Sequence, residues 1–173
     1  MPAMPATAYR FADDGRIPNH PLLPLLAYRG VLDAGIVDRA AAFEALFARH
    51  GWGGLWRNGI YDFHHYHSTA HEVLGIAAGR VRGCFGGEHG TALALAAGDA
   101  VLIPAGVGHR NLGASADLLV VGAYPAGQRA DLRRGVPADR PAALANIAAV
   151  PLPPRDPVTG RHGAEWSACG SPA

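Results

Sequence analysis

The spacing of apolar residues changes twice along the chain, and the changes divide it into three stretches. Residues 9–23 carry Pro18 and Pro21 and show no regular period, so they read as irregular. LPLLAY, residues 24–29, reads as a first strand. In residues 36–50 the apolar positions Ile36, Ala40, Phe43 and Phe47 recur at helical spacing, and Gly51 follows as a stop. The glycines at 51, 53 and 54 read as a breaker. From Leu55 to Pro125 the helical period disappears. Short apolar runs at 60–67, 72–78, 80–85, 91–97, 100–103 and 117–124 are separated by turns at Gly79, Gly86-Gly87, Gly90, Gly98-Asp99 and Gly106/Gly108. Short strands at such spacing predict an all-β antiparallel sandwich or barrel. Beyond Pro125 the pattern weakens. RPAALANIAA, residues 140–149, predicts a short helix with Asp139 as N-cap and Pro141 in its first turn. The remainder, from VPLPPRDPVTG onward, is expected to be extended and to lie on the surface or on a partner subunit. The division is therefore an N-terminal extension with strand and helix (1–54), a barrel core (55–125) and a C-terminal extension (126–173).

Composition narrows the class. With 173 residues, 49% hydrophobic and 17% charged, the chain suits one globular domain. The net charge is +1, with fifteen Arg and no Lys, and no basic run predicts binding to nucleic acid or an anionic membrane. The first fifteen residues lack a basic start and an apolar core, and the apolar stretches are broken well before membrane-spanning length, so the expected location is the cytoplasm. Cys84 and Cys169 are too few and too far apart for a disulfide scaffold or a thiolate knuckle.

Histidine placement adds the chemistry. FHHYHSTAHE, residues 63–72, holds four of the nine histidines and one of the four glutamates. On a strand over 60–67, alternation puts Tyr61, Phe63, His65 and His67 on one face, the inner one by its aromatics, and His64 on the other. On the following strand Glu72 shares a face with Leu74 and Ile76, whereas His71 falls on the opposite face as an exposed or supporting histidine. Pro104, Gly106 and Gly108 form a tight turn that delivers His109 to the start of a further strand. Three neutral imidazoles and one carboxylate suit a first-row divalent ion (Fe, Mn, Co, Ni, Cu or Zn), and a six-coordinate ion would keep two positions open. The competing reading is a polar barrel mouth without metal. Tyr61 and His71 are the candidates for an acid or base. His20, His50, His89 and His162 are isolated and read as surface residues, Cys84 as a buried small hydrophobe, and Arg80, Arg82 and Arg110 as outward.

Gly59-x5-His65-x-His67-x4-Glu72-x6-Gly79 resembles the first motif of the cupin superfamily, and Gly98-x5-Pro104-x-Gly106-x2-His109 resembles the second. Eighteen residues separate them. Gly113 stands where the second motif usually carries Asn, a departure at a turn residue. FADDGRIPNHP, HGWGGLWRNG, VVGAYPAGQ and VPLPPRDPV further resemble the uncharacterised bacterial YjlB-like branch, extending the likeness over about residues 9–158. The resemblance implies a double-stranded β-helix (jelly-roll) barrel with a metal inside, His65, His67, Glu72 and His109 as its ligands, a small-molecule ligand or substrate, and frequent dimers. It leaves the reaction open between a dioxygenase, an isomerase or decarboxylase, and a non-catalytic binding or sensing protein.

Overall fold

The computed structural model describes residues 5–161 and Trp166; His162 and Cys169 lie outside the described residues. Among the described residues nine strands and two short α-helices follow one another as β1 (Ala6–Tyr9), β2 (Leu25–Tyr28), α1 (Arg39–Arg49), β3 (Trp52–Asn58), β4 (Glu72–Ala78), β5 (Arg80–Phe85), β6 (Thr91–Ala96), β7 (Ala100–Ile103), β8 (His109–Ala114), β9 (Leu119–Pro125) and α2 (Arg140–Ala149). All pairings are antiparallel. A six-stranded sheet runs β1-β2-β7-β4-β9-β3, and a three-stranded sheet runs β6-β5-β8. The two sheets form a jelly-roll barrel. Leu25, Leu74, Ile76, Val101, Ile103 and Val120 of the large sheet meet Val81, Phe85, Leu93 and Leu95 of the small one to fill its interior.

The central strands of the large sheet, β2, β7, β4 and most of β9, are buried on both faces, while the edge strands β1 and β3 are partly exposed. The outer side of the sheet packs Leu26, Tyr28, Val73, Leu102, Val121 and Ala123 against Phe43 and Phe47 of α1. This explains why β2, β4 and β7 read as continuous apolar runs, while the small sheet, wet outside, alternates: Leu93 and Leu95 are buried between exposed Ala92, Ala94 and Ala96. Asp38 caps α1 by accepting from Ala41 N at 2.9 Å, so the helix starts after Ile36 and buries Ala40, Phe43 and Phe47. Close approach of helix and sheet depends on Gly75, where a Cβ would stand 2.7 Å from the Phe43 ring.

Four expectations are corrected. Residues 60–67 do not form a strand: only His65 and Tyr66 make bridges, to His109 and Arg133. The Gly-rich stretch after Gly51 is not a breaker but the edge strand β3, kept in the sheet by a bulge between Gly53 and Trp56. Asp139 makes no side-chain cap; it pairs instead with Arg133 at 3.0 Å. The Pro-rich tail packs on its own barrel: Asp156 is buried and accepts from Tyr28 Oη, Val158 and Trp166 join the outer core, and Trp166 Nε1 donates to Pro24 O at 2.9 Å. Apolar periodicity cannot register a tail held by single buried anchors.

Candidate metal centre

The site begins with backbone. His65 N donates to His109 O at 3.2 Å, and His109 N donates to His65 O at 2.9 Å. This one bridge sets the two rings 4.0 Å apart. The next turn is pinned by Gly106 N donating to His67 O at 2.8 Å. Glu72 opens β4 opposite Ile103, on the barrel face that it shares with Leu74 and Ile76. A loop and the starts of two strands, β4 at Glu72 and β8 at His109, thus converge on one point inside the barrel.

Hydrogen bonds fix what each imidazole presents there. Nδ1 of His65 faces Phe63 O at 3.0 Å, Nδ1 of His109 faces Val107 O at 3.1 Å, and Nδ1 of His67 faces Asp131 O at 2.5 Å. A carbonyl oxygen only accepts, so each Nδ1 carries the hydrogen and, in the neutral ring, Nε2 carries a lone pair. Coordinating nitrogens of the three rings lie within 4.8 Å of one another. Glu72 Oε2 stands 3.1 Å from His67 Nε2 and 3.3 Å from His109 Nε2, and the residue is 2% exposed. Lone pairs and a buried anion facing each other call for a cation or a proton between them.

Protonation follows that demand. Burial opposes charge on His67, but the charge and hydrogen bond of Glu72 overcome it and raise the ring to about 9. Burial, then His109, pushes His65 down to about 3. Burial by itself would raise Glu72, but His67 and hydrogen bonds from both neighbouring rings hold its carboxyl well below the usual range. These opposite directions put the proton of the pair on His67 and leave Glu72 ionised. A divalent ion of the kind that prefers nitrogen with some oxygen can replace that proton, so the donor set fits a first-row transition metal.

The loop after β9 orients His67. Beyond the Asp131 carbonyl, the Asp131 carboxylate accepts from Ser68 N at 2.6 Å, from Ser68 Oγ, and from Arg133 Nε at 2.9 Å. Asn146 Nδ2 on α2 donates to Ser68 Oγ at 3.1 Å, and Thr69 Oγ1 donates to Arg129 O at 2.6 Å. Sequence reasoning passed over Asp131, which sits in an unpatterned stretch 64 residues from the histidine that it serves.

A cavity of about 420 Å³ opens onto the cluster, with Trp56, Ile60, Tyr61, Leu74, Tyr124 and Leu132 in its wall. Tyr61 is 54% exposed at the mouth, where it stacks on Phe63 at 4.9 Å. Tyr124, another residue the sequence did not single out, sets its ring edge-on to His67 at 6.3 Å. His71 lies elsewhere. It is fully buried on the outer side of β4, its Nδ1 accepts from Ala105 N at 2.9 Å, and its ring packs on Trp166 at 4.8 Å and lies 6.2 Å from His20. The expected exposed or supporting histidine is thus a core residue. His20 and His50 are also structural: His20 Nδ1 accepts from Leu22 N and Leu23 N, and His50 Nδ1 contacts Pro157 O at 2.7 Å. His64 is half-buried beside Asp14, Arg16, Glu88 and His89. Cys84 is buried, with Sγ 3.3 Å from Gly87 O, and Arg80 and Arg82 point to solvent.

A jelly-roll barrel carrying both histidine motifs around an inward cluster defines a cupin. The chain belongs to the YjlB family of cupins: it is 46% identical over 155 residues to the uncharacterised protein YjlB of Bacillus subtilis (strain 168), covering 89% of this chain and 90% of that one. No protein-family model matches the chain. Solved structures similar to it include acireductone dioxygenase from Bacillus anthracis with a cadmium ion in its active centre (17% identity, 51% of this chain and 60% of that chain, TM-score 0.38). They also include a mutant of Bacillus subtilis oxalate decarboxylase (21%, 46% and 22%, TM-score 0.36) and the epimerase RmlC from Legionella pneumophila (15%, 69% and 71%, TM-score 0.38). The chain therefore spans less than two thirds of the first two of these chains.

Proposed function

We propose that this protein is a mononuclear metalloenzyme acting on a small organic molecule, with His65, His67, Glu72 and His109 as the ligands of one divalent transition ion. The observation that carries the reading is the convergence of imidazole lone pairs and a buried carboxylate oxygen at the end of an open cavity, with every Nδ1 hydrogen already committed to a backbone carbonyl. Such an ion would act as a Lewis acid or, if iron, as a centre for oxygen chemistry. The chain itself supplies apolar walls that exclude water and a Tyr124 hydroxyl beside Glu72. Under this reading the 55–125 stretch holds all four ligands, β2 of the N-terminal stretch completes the barrel wall, and the Asp131 loop and α2 of the C-terminal stretch support His67. The expected homodimer in the cytoplasm belongs to this proposal, and light scattering at micromolar concentration tests the dimer.

A second reading is a cupin that binds or senses a small ligand without turning it over. It is favoured by the engagement of the charged residues around the cavity: Arg57 is held by Glu44 in a two-point ion pair, and the Asp131 carboxylate is held by Ser68 and Arg133. Elemental analysis of untagged protein is the first test. About one equivalent of iron leads to oxygen-consumption assays with thiols, diketones and aromatic acids. Manganese, zinc or nickel leads to isomerase and decarboxylase assays. Stoichiometric metal with saturable ligand binding and no turnover selects the second reading, and absence of metal after reconstitution overturns both.

A further inference from the structure

The bulge in β3 and the empty side-chain position at Gly122 serve a single arrangement. Gly53 pairs with Tyr124 and Trp56 pairs with Gly122, so three steps along β3 match two along β9. The extra residue moves Trp56 onto the face that carries Gly122 and Tyr124. There the indole lies over Gly122, where a Cβ would come within 2.0 Å of it. Trp56 Nε1 then donates to Tyr124 Oη at 3.0 Å. On its other side β9 pairs with β4, Val73 opposite Ala123 and Leu74 opposite Gly122. Continuing that register by one residue sets Tyr124 across from Glu72, at the spacing of a direct cross-strand pair. Because Tyr124 Oη already accepts the indole hydrogen, its own hydrogen is free to point at the facing Glu72 carboxylate.

We infer that Trp56 and Tyr124 form a positioning relay for Glu72, in which the indole fixes the phenol and the phenol O–H holds one carboxylate oxygen so that the other is presented to the ion. The inference rests on the metal-ligand reading above. It assigns the Gly-rich strand a role that packing alone does not require, since a side chain at residue 122 or a regular β3 would still cover the barrel edge but would lose the indole–phenol contact.

The test uses full-length protein and Mn(II) alone, with affinity measured by titration and the ion's surroundings followed by electron paramagnetic resonance. Tyr124→Phe removes one hydroxyl and is expected to weaken Mn(II) binding about tenfold, the lower end of the effect of losing an outer hydrogen bond to a ligand, and to change the Mn(II) spectrum. Trp56→Phe is expected to weaken binding by a smaller factor, and the double variant to bind no more weakly than Tyr124→Phe. Melting in chelator checks each fold, and if Tyr124→Phe fails to fold, Trp56→Phe decides. Affinity within twofold of the parent, or additive losses in the double variant, overturns the relay. Parent protein that binds no Mn(II), and no Fe(II), Zn(II) or Ni(II) in the same titration, overturns the ligand reading and the relay together. Parent protein that binds Mn(II), with binding lost in His67→Ala and unchanged in Tyr124→Phe, overturns the relay alone.

Discussion

His67 and His71 stand four residues apart, the first largely buried at the cavity and the second wholly buried in the core, and they are opposites. His67 lies beside a carboxylate and gives its Nδ1 hydrogen to a carbonyl; its ring is raised to about 9, Glu72 overcoming the effect of burial. His71 accepts from Ala105 N among Trp166 and other core groups, and burial lowers it to about 3. Burial alone does not set a histidine's charge; the partner at its second nitrogen does. The barrier between them is β4, which is buried on both faces. Its inner face, at Glu72, faces the cluster, and its outer face belongs to α1 and the tail.

The largest contrast is in metal binding. His67→Ala is expected to lower affinity at least about 100-fold, more than the loss of an outer contact would, whereas His71→Ala binds metal as the parent does. Equilibrium dialysis with elemental analysis compares them, and equal metal content in both would dissolve the distinction. Stability should reverse the ranking. His71→Ala leaves a cavity and an unpaired Ala105 N–H, a loss of about 2–4 kcal/mol, read by denaturant melts in chelator. Both parent and His71→Ala should then gain the same increment on metal addition, about 2.7 kcal/mol at a free concentration 100-fold above Kd.

Acid and alkali separate the pair further in chelator-treated protein. The folded His71 titrates near 3 against an ordinary 6.5, so its contribution to stability is present above about 6.5 and is lost as pH falls towards 3. His20, lowered by burial to about 4, adds to the same acid limb. The folded His67 titrates near 9, so its contribution is complete below 6.5 and is lost as pH rises through 9. Denaturant midpoints from pH 4 to 10 should fall at both ends; His71→Phe should flatten the acid limb and His67→Gln the alkaline one.

A smaller effect tests the loop behind His67. Asp131→Ala keeps the carbonyl that faces His67 but removes the carboxylate by which Ser68 and Arg133 hold the loop in place, and is expected to weaken metal binding about tenfold with no change in the His71 region. The smallest is His64→Ala, expected to leave metal content unchanged; a loss there would mean that the irregular 60–67 segment points differently from the structure.

The convergence of His65, His67 and His109, with Glu72 beside them, was legible because each is set by short-range rules: spacing, alternation from Glu72 to Ile76, and a Gly-Pro turn before His109. Asp131, Tyr124 and Trp56 were not. Asp131 reaches His67 across 64 residues. Tyr124 meets Trp56 only through a bulge that alternation cannot foresee. The reading of 60–67 as a strand reached the right inner pair by a geometry that the segment does not adopt, since its bridges at His65 and Tyr66 are made one residue at a time.

The sequence by itself determined the barrel class, most strand positions from Glu72 onward, the helix closed by Gly51 and the residues that crowd one point. These follow from side-chain periodicity and turn chemistry, which act over a few neighbours. Only the tertiary structure decided which side of β4 the tail covers, that β3 belongs to the sheet, and which carbonyl and hydroxyl orient the cluster. Those contacts join residues far apart in the chain, and their energies depend on register and burial that no local pattern encodes.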